Sequence, residues 1–167
     1  MNSPPRASQD QDGAFTIRPL AYTDAVVRAL EEELQQEYVA RYGGHDETPV
    51  DPAEFVPPDG VFVVGFADGE PVASGGFRRH ADDVAEIKRM YVVEDHRGVG
   101  YARRLLAALE SRAAAVGYRR IVLESGLRQP EAIALYESSG YQPIPGFGFY
   151  AGRELSRSFA KDLAPPS

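Results

Sequence analysis

The chain has 167 residues, 43% of them hydrophobic and 26% charged, which is typical of a single soluble globular domain. It contains no cysteine, which excludes disulfides, thiolate metal ligands and a cysteine nucleophile. A formal net charge of −7 makes it a poor general binder of nucleic acid or anionic membranes. The charge is compatible with a cationic partner such as an amine, although many proteins are acidic for solubility alone.

Both ends of the chain are polar and contain paired prolines. Residues 1–13 lack the apolar core of a signal peptide, and we expect disordered tails over residues 1–13 and 164–167. The folded domain is predicted to span residues 14–163. No apolar run approaches the length of a membrane span, so the predicted location is the cytoplasm.

The first part of the domain predicts a strand, a helix and a loop. AFTIRPL is a short strand that Pro19 ends, and Thr23 can cap the next helix with Asp24 in its first turn. RYGGHDETPVDP predicts a loop, and AEF predicts a short helix. Apolar residues recur in the first helix at helical spacing: Val27, Leu30, Leu34 and Tyr38.

Three consecutive strands are predicted next. VFVVGFA and PVASGGFRRH are joined by DGE, a hairpin signal, and VAEIKRMYVV follows over residues 84–93. The pair Gly75-Gly76 indicates a bulge, a close ligand approach or a packing requirement. Period-two alternation places four residues on one face of the third strand: Glu86, Lys88, Met90 and Val92.

The second half alternates helices and strands. Gly117 ends one helix, RRIVLES is a strand, Pro130 and Gly140 bound another helix, and YQPI and LSRSFAKDL are final strands. We therefore predict an α/β (α+β) fold, a mixed, mostly antiparallel twisted sheet of six to seven strands with helices on both faces. One helical face is predicted to contain Ala102, Leu105, Leu106, Leu109, Ala113 and Val116.

The segment RGVGYA, residues 97–102, stands where a strand passes into a helix. A helix N-terminus presents free amides and partial positive charge, and glycines let an anion approach the backbone closely. With the charge of Arg97, this loop suits a diphosphate. The alternative is that the glycines only permit a tight turn.

Three kinds of phosphate site compete for this loop. A P-loop needs a Gly-Lys-Ser/Thr ending, which is absent. A dinucleotide fold would use Glu124 as its ribose-binding acid, but Arg103 occupies the third glycine position and antiparallel-looking strands come first. The third is a coenzyme A site, because RGVGYA fits the pattern Arg/Gln-x-x-Gly-x-Gly/Ala.

From Phe15 onward the chain resembles the GNAT superfamily of acyl-CoA-dependent N-acyltransferases. The resemblance is carried by the order and spacing of TIRPLAYTDA, AEIKRMYVVEDHRGVGYARRLLAALE, IVLESG and EAIALYESSGY. It implies a sheet splayed open between its fourth and fifth strands, with the pantetheine arm of acetyl-CoA in the gap. It also implies direct transfer of the acetyl group to a primary amine of a small molecule, amino acid or peptide.

Two alternatives remain open. One is a non-catalytic acyl-CoA-binding or regulatory module on the same fold, and the other, less favoured, is a dinucleotide-dependent oxidoreductase. No metal is expected, because the three histidines lack ligand-like spacing. The final strands of this fold often serve dimers, so a homodimer is compatible with the resemblance.

The resemblance assigns the donor site residue by residue. The backbone of Met90, Tyr91, Val92 and Val93 pairs with pantetheine, and a bulge near Met90 aims its amide at the thioester carbonyl. The pyrophosphate lies on the loop formed by Arg97, Gly98, Val99, Gly100, Tyr101 and Ala102.

The resemblance also implies the catalytic and acceptor residues. Tyr136 matches the general-acid tyrosine, unless it only packs. Glu86 is a base, or else it forms a structural ion pair with Arg89 or another arginine, or lies on a solvated face. Acids and aromatics can hold an ammonium group, and Arg78 can hold the carboxylate of an amino acid. The predicted acceptor-binding residues are Tyr38, Tyr42, Asp46, Glu47, Arg78 and Phe149.

Overall fold

The computed structural model describes residues 15–165. The predicted tail of residues 1–13 lies outside this range, as do residues 166 and 167 of the second predicted tail. Within residues 15–165, no helix is long and apolar enough to cross a membrane.

The helices and strands follow the predicted order closely. Asp24, and not the predicted Thr23, caps the first helix, because its side chain accepts a hydrogen bond from the amide of Val26 at 2.8 Å. The elements are β1 (Phe15–Pro19), α1 (Ala25–Tyr42), a 3-10 helix (Pro52–Phe55), β2 (Val61–Ala67), β3 (Glu70–Ala81), β4 (Val84–Val92), a second 3-10 helix (Glu94–His96), α2 (Tyr101–Ala115), β5 (Arg120–Gly126), α3 (Pro130–Ser138), β6 (Gln142–Ile144) and β7 (Ser156–Asp162).

Seven strands form one sheet in the order β1-β2-β3-β4-β5-β7-β6. β4 and β5 pair in parallel and the other neighbours pair antiparallel, which confirms the predicted mixed sheet. Residues of α2 and α3 pack on one face, and α1 with the first 3-10 helix packs on the other. Val116 was predicted to lie on the apolar face of this helix, but α2 ends at Ala115 and Val116 is 49% exposed.

The central strand β4 contains a bulge. It places two residues, Arg89 and Met90, opposite the single Gly75 of β3. Arg89 has a φ of 61°, in the left-handed region that residues other than glycine seldom adopt. An extra residue on one strand bends it and re-aims the side chains that follow.

This bulge reverses the side-chain alternation of β4. Ile87 and Met90 both pack against the cluster on the α2 side, whereas Tyr91 packs on the α1 side. The prediction that one face holds Glu86, Lys88, Met90 and Val92 is therefore wrong, because the extra residue puts the first two and the last two on opposite faces.

The sheet opens between β4 and β5. Residues 84–86 of β4 pair with residues 120–122 of β5, and no further pairs follow. The same two strands keep their other neighbours, β3 and β7, along most of their lengths. This short parallel seam confirms the expected splay and leaves a gap beside the second half of each strand.

We expect Gly76→Ala to destabilise the fold more than Gly75→Ala. A Cβ at Gly76 would lie 2.6 Å from the carbonyl oxygen of Val61, within the sheet backbone, whereas one at Gly75 would meet the mobile sulfur of Met90 at 2.7 Å. Overpacking typically lowers the free energy of unfolding by roughly 1–3 kcal/mol. Urea unfolding should show a loss near the upper end of this range for Gly76→Ala and near the lower end for Gly75→Ala. Equal losses would contradict this difference.

Candidate active site

The gap between β4 and β5 opens into a cavity of about 460 Å³. Residues 87–90 of β4 form one wall and residues 123–126 of β5 form the other. Side chains of α3 lie at one end. The remaining lining comes from the end of α1 and the loop after it, the turn before α3, and the segment that leads into β7. These residues are Tyr38, Tyr42, Gly44, His45, Asp46, Gln129, Tyr150, Arg153, Glu154, Leu155 and Ser156.

The loop before α2 presents unpaired backbone amides. Gly98 and Gly100 have φ values of 82° and 90°, and a Cβ added at either would meet nothing within 4 Å. In the described part of the chain, the amides of residues 98–102 have no hydrogen-bond acceptor, and no side chain caps α2. The glycines thus provide a backbone shape, and the open space over the amides fits an anionic group.

Arg97 lies beside this loop but turns towards β4 and α1. Its Nε donates to the carbonyl oxygen of Val92 at 2.8 Å, and its Nη2 lies 2.8 Å from Oε1 of Glu37. The amide of Val93 donates to the carbonyl oxygen of Val72 in β3 at 2.8 Å. Because the C=O and N–H of one peptide group point in opposite directions in an extended strand, the carbonyl of Val92 points away from β3 and towards the gap. This places polar backbone groups of β4 along the opening.

Tyr136 extends from α3 into the cavity. Only 6% of this residue is exposed, and its ring contacts Tyr141 and Phe159. Its hydroxyl has no hydrogen-bond partner within residues 15–165, although it lines the cavity. Burial raises the pKa of this phenol above its usual value, so it remains protonated and able to donate.

Glu86 is buried away from the cavity lining. Its Oε1 accepts a hydrogen bond from Nε of Arg78 at 2.9 Å, and its Oε2 lies 4.0 Å from Nζ of Lys88. Arg78 also contacts Glu54 at 3.1 Å and donates to the carbonyl of Pro49 at 2.8 Å. Both Glu86 and Arg78 are therefore committed to an ion-pair network behind the cavity wall.

Asp46 joins two loops at the far end of the cavity. Its Oδ1 accepts hydrogen bonds from the hydroxyls of Tyr150 at 2.9 Å and Thr48 at 2.7 Å, and its Oδ2 lies 3.4 Å from Nε of Arg89. These cationic and hydrogen-bonding neighbours outweigh burial and lower the pKa of Asp46. The Tyr150 hydroxyl also accepts the amide of Glu47 at 2.8 Å. Asp46 is thus a bonded structural carboxylate.

Glu124 is a second carboxylate in the cavity, and one of its oxygens is unpaired. Its Oε2 accepts the amide of Tyr150 at 3.1 Å, whereas its Oε1 is buried without a partner. Burial raises the pKa of Glu124, and the nearby ammonium of Lys88 acts in the opposite direction. An unpaired buried oxygen with raised proton affinity is suited to receive a proton.

The end of α1 is tied to the turn after β5. Arg41 donates to the carbonyl of Arg128 at 2.7 Å, and Arg128 donates to the carbonyl of Arg41 at 2.8 Å. Arg41 also lies 2.7 Å from Glu131, and the hydroxyl of Tyr42 donates to Gln129 at 3.3 Å. These contacts, which we call the α1 clasp, span the cavity from outside.

Known proteins are similar to this chain in sequence and in architecture. Residues 27–141 match the Acetyltransferase (GNAT) family. The IAA acetyltransferase of Azospirillum brasilense is 33% identical over 141 residues, which cover 84% of this chain and 92% of that protein.

This chain belongs to the GNAT acetyltransferase family. A Klebsiella pneumoniae protein assigned as an acyl-CoA N-acyltransferase is 32% identical, with a TM-score of 0.75 over 90% of this chain and 98% of the other. The fold also matches a Salmonella typhimurium protein assigned as an acetyltransferase and solved with its cofactor acetyl-CoA, with a TM-score of 0.68, 22% identity, and coverage of 92% and 96%. The predicted enzyme class, an acyl-CoA-dependent N-acyltransferase, is confirmed at the level of the family.

The GNAT site brings together part of the predicted residue set. Of the predicted acceptor residues, Tyr38, Tyr42 and Asp46 line the cavity. The other three, Glu47, Arg78 and Phe149, are not among its lining residues, and Phe149 is 41% exposed. Of the predicted catalytic residues, Tyr136 and Met90 line the cavity and Glu86 does not.

Five charged lining residues were absent from the predicted site of this GNAT chain: Lys88, Arg89, Glu124, Arg153 and Glu154. Lys88 lies in β4 and Glu124 in β5, and both face the cavity. The signal that would have found them is a charge within an otherwise apolar central strand, as in AEIKRMYV and IVLES. A buried charge in a strand needs a partner, a ligand or a reaction to explain it.

Proposed function

We propose that this enzyme transfers the acetyl group of acetyl-CoA directly to a primary amine of a small molecule, amino acid or peptide. The observation that carries the proposal is that Tyr136 and Glu124 line one cavity, and that each has a side-chain oxygen without a hydrogen-bond partner among the described residues. Transfer from a thioester to an amine needs one proton donor and one proton acceptor. Family membership and a shared fold with a protein solved with acetyl-CoA support this donor.

The amides of residues 98–102 are proposed to hold the pyrophosphate of the donor. Their open surroundings and lack of acceptors fit this anion. The backbone from Met90 to Val93 is proposed to hold the pantetheine arm along the gap. The Met90 amide, re-aimed by the bulge, is proposed to donate to the thioester carbonyl oxygen, where negative charge develops.

Acetyl-CoA supplies an activated acetyl group, and two side chains of this chain are proposed to move the protons. Attack by the amine forms a carbon–nitrogen bond, and the carbon–sulfur bond breaks. Glu124 Oε1 accepts the proton that the amine nitrogen loses, and the hydroxyl of Tyr136 gives a proton to the leaving sulfur. Glu86 is less suited to be the base, because Arg78 holds its Oε1 outside the cavity lining.

Two measurements test this function. Acetyl-CoA should raise the melting temperature, because a ligand that binds only the folded state stabilises it. A panel of amines, amino acids and peptides should then release free CoA from acetyl-CoA. Stabilisation without turnover of any acceptor would favour the non-catalytic acyl-CoA-binding alternative, and stabilisation by NAD alone would favour the dinucleotide alternative.

Gly100→Asp is expected to weaken acetyl-CoA binding about tenfold or more at low salt, through repulsion between the new carboxylate and the pyrophosphate. Gly100→Asn is the matched control, because it has nearly the same shape, adds no charge and tolerates a positive φ comparably. Calorimetric titration at two salt concentrations measures the difference. Equal affinities for the two variants would place the pyrophosphate elsewhere.

A further inference from the structure

Lys88 is a buried ammonium group that faces the cavity. It is 7% exposed, and in the described structure its Nζ has no hydrogen-bond acceptor. Among residues 15–165, its one carboxylate neighbour within 4.0 Å is Oε2 of Glu86, whose other oxygen accepts a hydrogen bond from Arg78. Because a buried charge is costly unless it is hydrogen-bonded, this ammonium is poised for an anionic ligand.

The other cationic side chains that line the cavity are either paired with carboxylates or exposed to solvent. Arg89 is held by Asp46 at 3.4 Å and by Glu31 at 3.3 Å. Arg153 is exposed, and its guanidinium lies 5.5 Å from the ring centres of Phe149 and Tyr150. His45 is exposed in the loop after α1. Nε of Arg89 also lacks a hydrogen-bond partner among the described residues, but two carboxylates balance the charge of Arg89. Lys88 shares its one carboxylate neighbour with Arg78, so its charge is the less fully balanced of the two.

The carboxylates of the lining leave a matching group. Asp46 is bonded through both oxygens, and Glu154 is exposed. Glu124 lines the cavity and keeps Oε1 without a hydrogen-bond partner, buried beside the backbone of Gly148. Lys88 and Glu124 are near enough to influence each other electrostatically, but they form no ion pair within 4.0 Å. Lys88 on the β4 wall and Glu124 on the β5 wall thus line one cavity, and each retains hydrogen-bonding capacity that no described residue uses.

We propose that the acceptor is an amino acid, with its amine at Glu124 and its carboxylate on Lys88. This rests on the proposed function, in which Glu124 receives the proton of the amine. The role of binding the carboxylate, which the sequence had assigned to Arg78, passes to Lys88 on the neighbouring strand β4. Arg78 is engaged by Glu86 and Glu54, whereas Lys88 faces the cavity. An acceptor that carries both charges satisfies both buried groups at once.

Matched pairs of acceptors test the proposal without any mutation. The pairs are phenylalanine with phenethylamine and leucine with isoamylamine, which differ in the carboxylate alone. We expect the enzyme to prefer the amino acid by about 30-fold or more in kcat/KM, as measured by CoA release. Equal or better use of the two amines would overturn the proposal but leave acetyl transfer to amines standing. No release from any amine or amino acid would count against the proposed function itself.

Lys88→Met assigns the preference to a residue. It should remove most of the preference by lowering kcat/KM far more for the amino acids than for phenethylamine and isoamylamine, so the measured quantity is the ratio of the two kcat/KM values. Activity on the amines is itself expected to change, because Lys88 also opposes the raised pKa of Glu124. Arg153→Met removes another cation of the same cavity and should keep the preference. Loss of the preference in Arg153→Met, or its survival in Lys88→Met, would overturn the assignment. Stabilisation by acetyl-CoA shows that each variant is folded, and Lys88→Arg, which retains the charge, should recover part of the preference.

Discussion

Tyr136→Phe is expected to lower kcat by about 10²- to 10³-fold at saturating acetyl-CoA, with little change in acetyl-CoA affinity. The substitution keeps the ring contacts with Tyr141 and Phe159 and removes a hydroxyl that no described residue hydrogen-bonds. The fold therefore loses little, and the leaving sulfur loses its proton donor. Steady-state kinetics and calorimetric titration measure the two quantities separately.

Tyr141→Phe is the matched control for this experiment. Its hydroxyl donates to Glu110 at 2.8 Å and lies outside the cavity lining, so the variant should keep turnover even where stability falls. Unchanged turnover in Tyr136→Phe would remove the general-acid assignment. Weakened donor binding at unchanged kcat would make Tyr136 a packing residue.

Burial raises the pKa of Tyr136 and also that of the thiol to which it is proposed to give its proton. Loss of water raises the pKa of the phenol. A thiolate leaving into the same dry space is also destabilised and becomes more basic. The proton affinities of donor and acceptor therefore rise together, and transfer from oxygen to sulfur remains feasible.

Glu124→Gln is expected to lower kcat/KM for the acceptor by about 10²- to 10³-fold. A glutamine oxygen can still accept the amide of Tyr150, so the loop remains tethered while the proton-accepting oxygen is lost. Glu154→Gln removes an exposed carboxylate from the same lining and should change activity only a few-fold. Equal effects of the two substitutions would show a general loss of negative charge.

The pH dependence gives this assignment a second readout. Burial raises the pKa of Glu124, aided by the negative charges of Glu86 and Asp46, while Lys88 and the Tyr150 amide oppose the increase. The base works when deprotonated, so kcat/KM should fall as pH drops through a pKa above the ordinary glutamate value of about 4.3. This acidic limb should be absent from Glu124→Gln. An unchanged limb would assign the titration to another group.

The fold and the glycine loop before α2 were predictable because their signals are local. Period-two and helical patterns gave the strands and helices within a residue or two, and glycines before an amphipathic run indicated the loop at Gly98 and Gly100. The order of these segments sufficed for the family. The insertion of β7 between β5 and β6 was not predicted, because strand order depends on pairing between distant parts of the chain.

The acceptor side was less predictable for a physical reason. Alternation in β4 was counted across the bulge at Arg89, so the orientations on its two sides were wrongly equated. Glu124 acquires its neighbours from the loop around Tyr150, which is distant in sequence. Glu86 was correctly given an ion pair with an arginine as one alternative, but which arginine it meets depends on the register of β3 and β4.

The short seam between β4 and β5 has a mechanical consequence. β4 and β5 pair only through residues 84–86 and 120–122. The half of the sheet from β1 to β4 is therefore joined to the half made of β5, β7 and β6 by few backbone hydrogen bonds. The α1 clasp bridges the same opening near its far end through side chains. If the contacts of the α1 clasp break, the gap between β4 and β5 can widen while each half of the sheet keeps its own strand pairing. We therefore expect the width of this gap to vary more than the strand pairing within either half of the sheet.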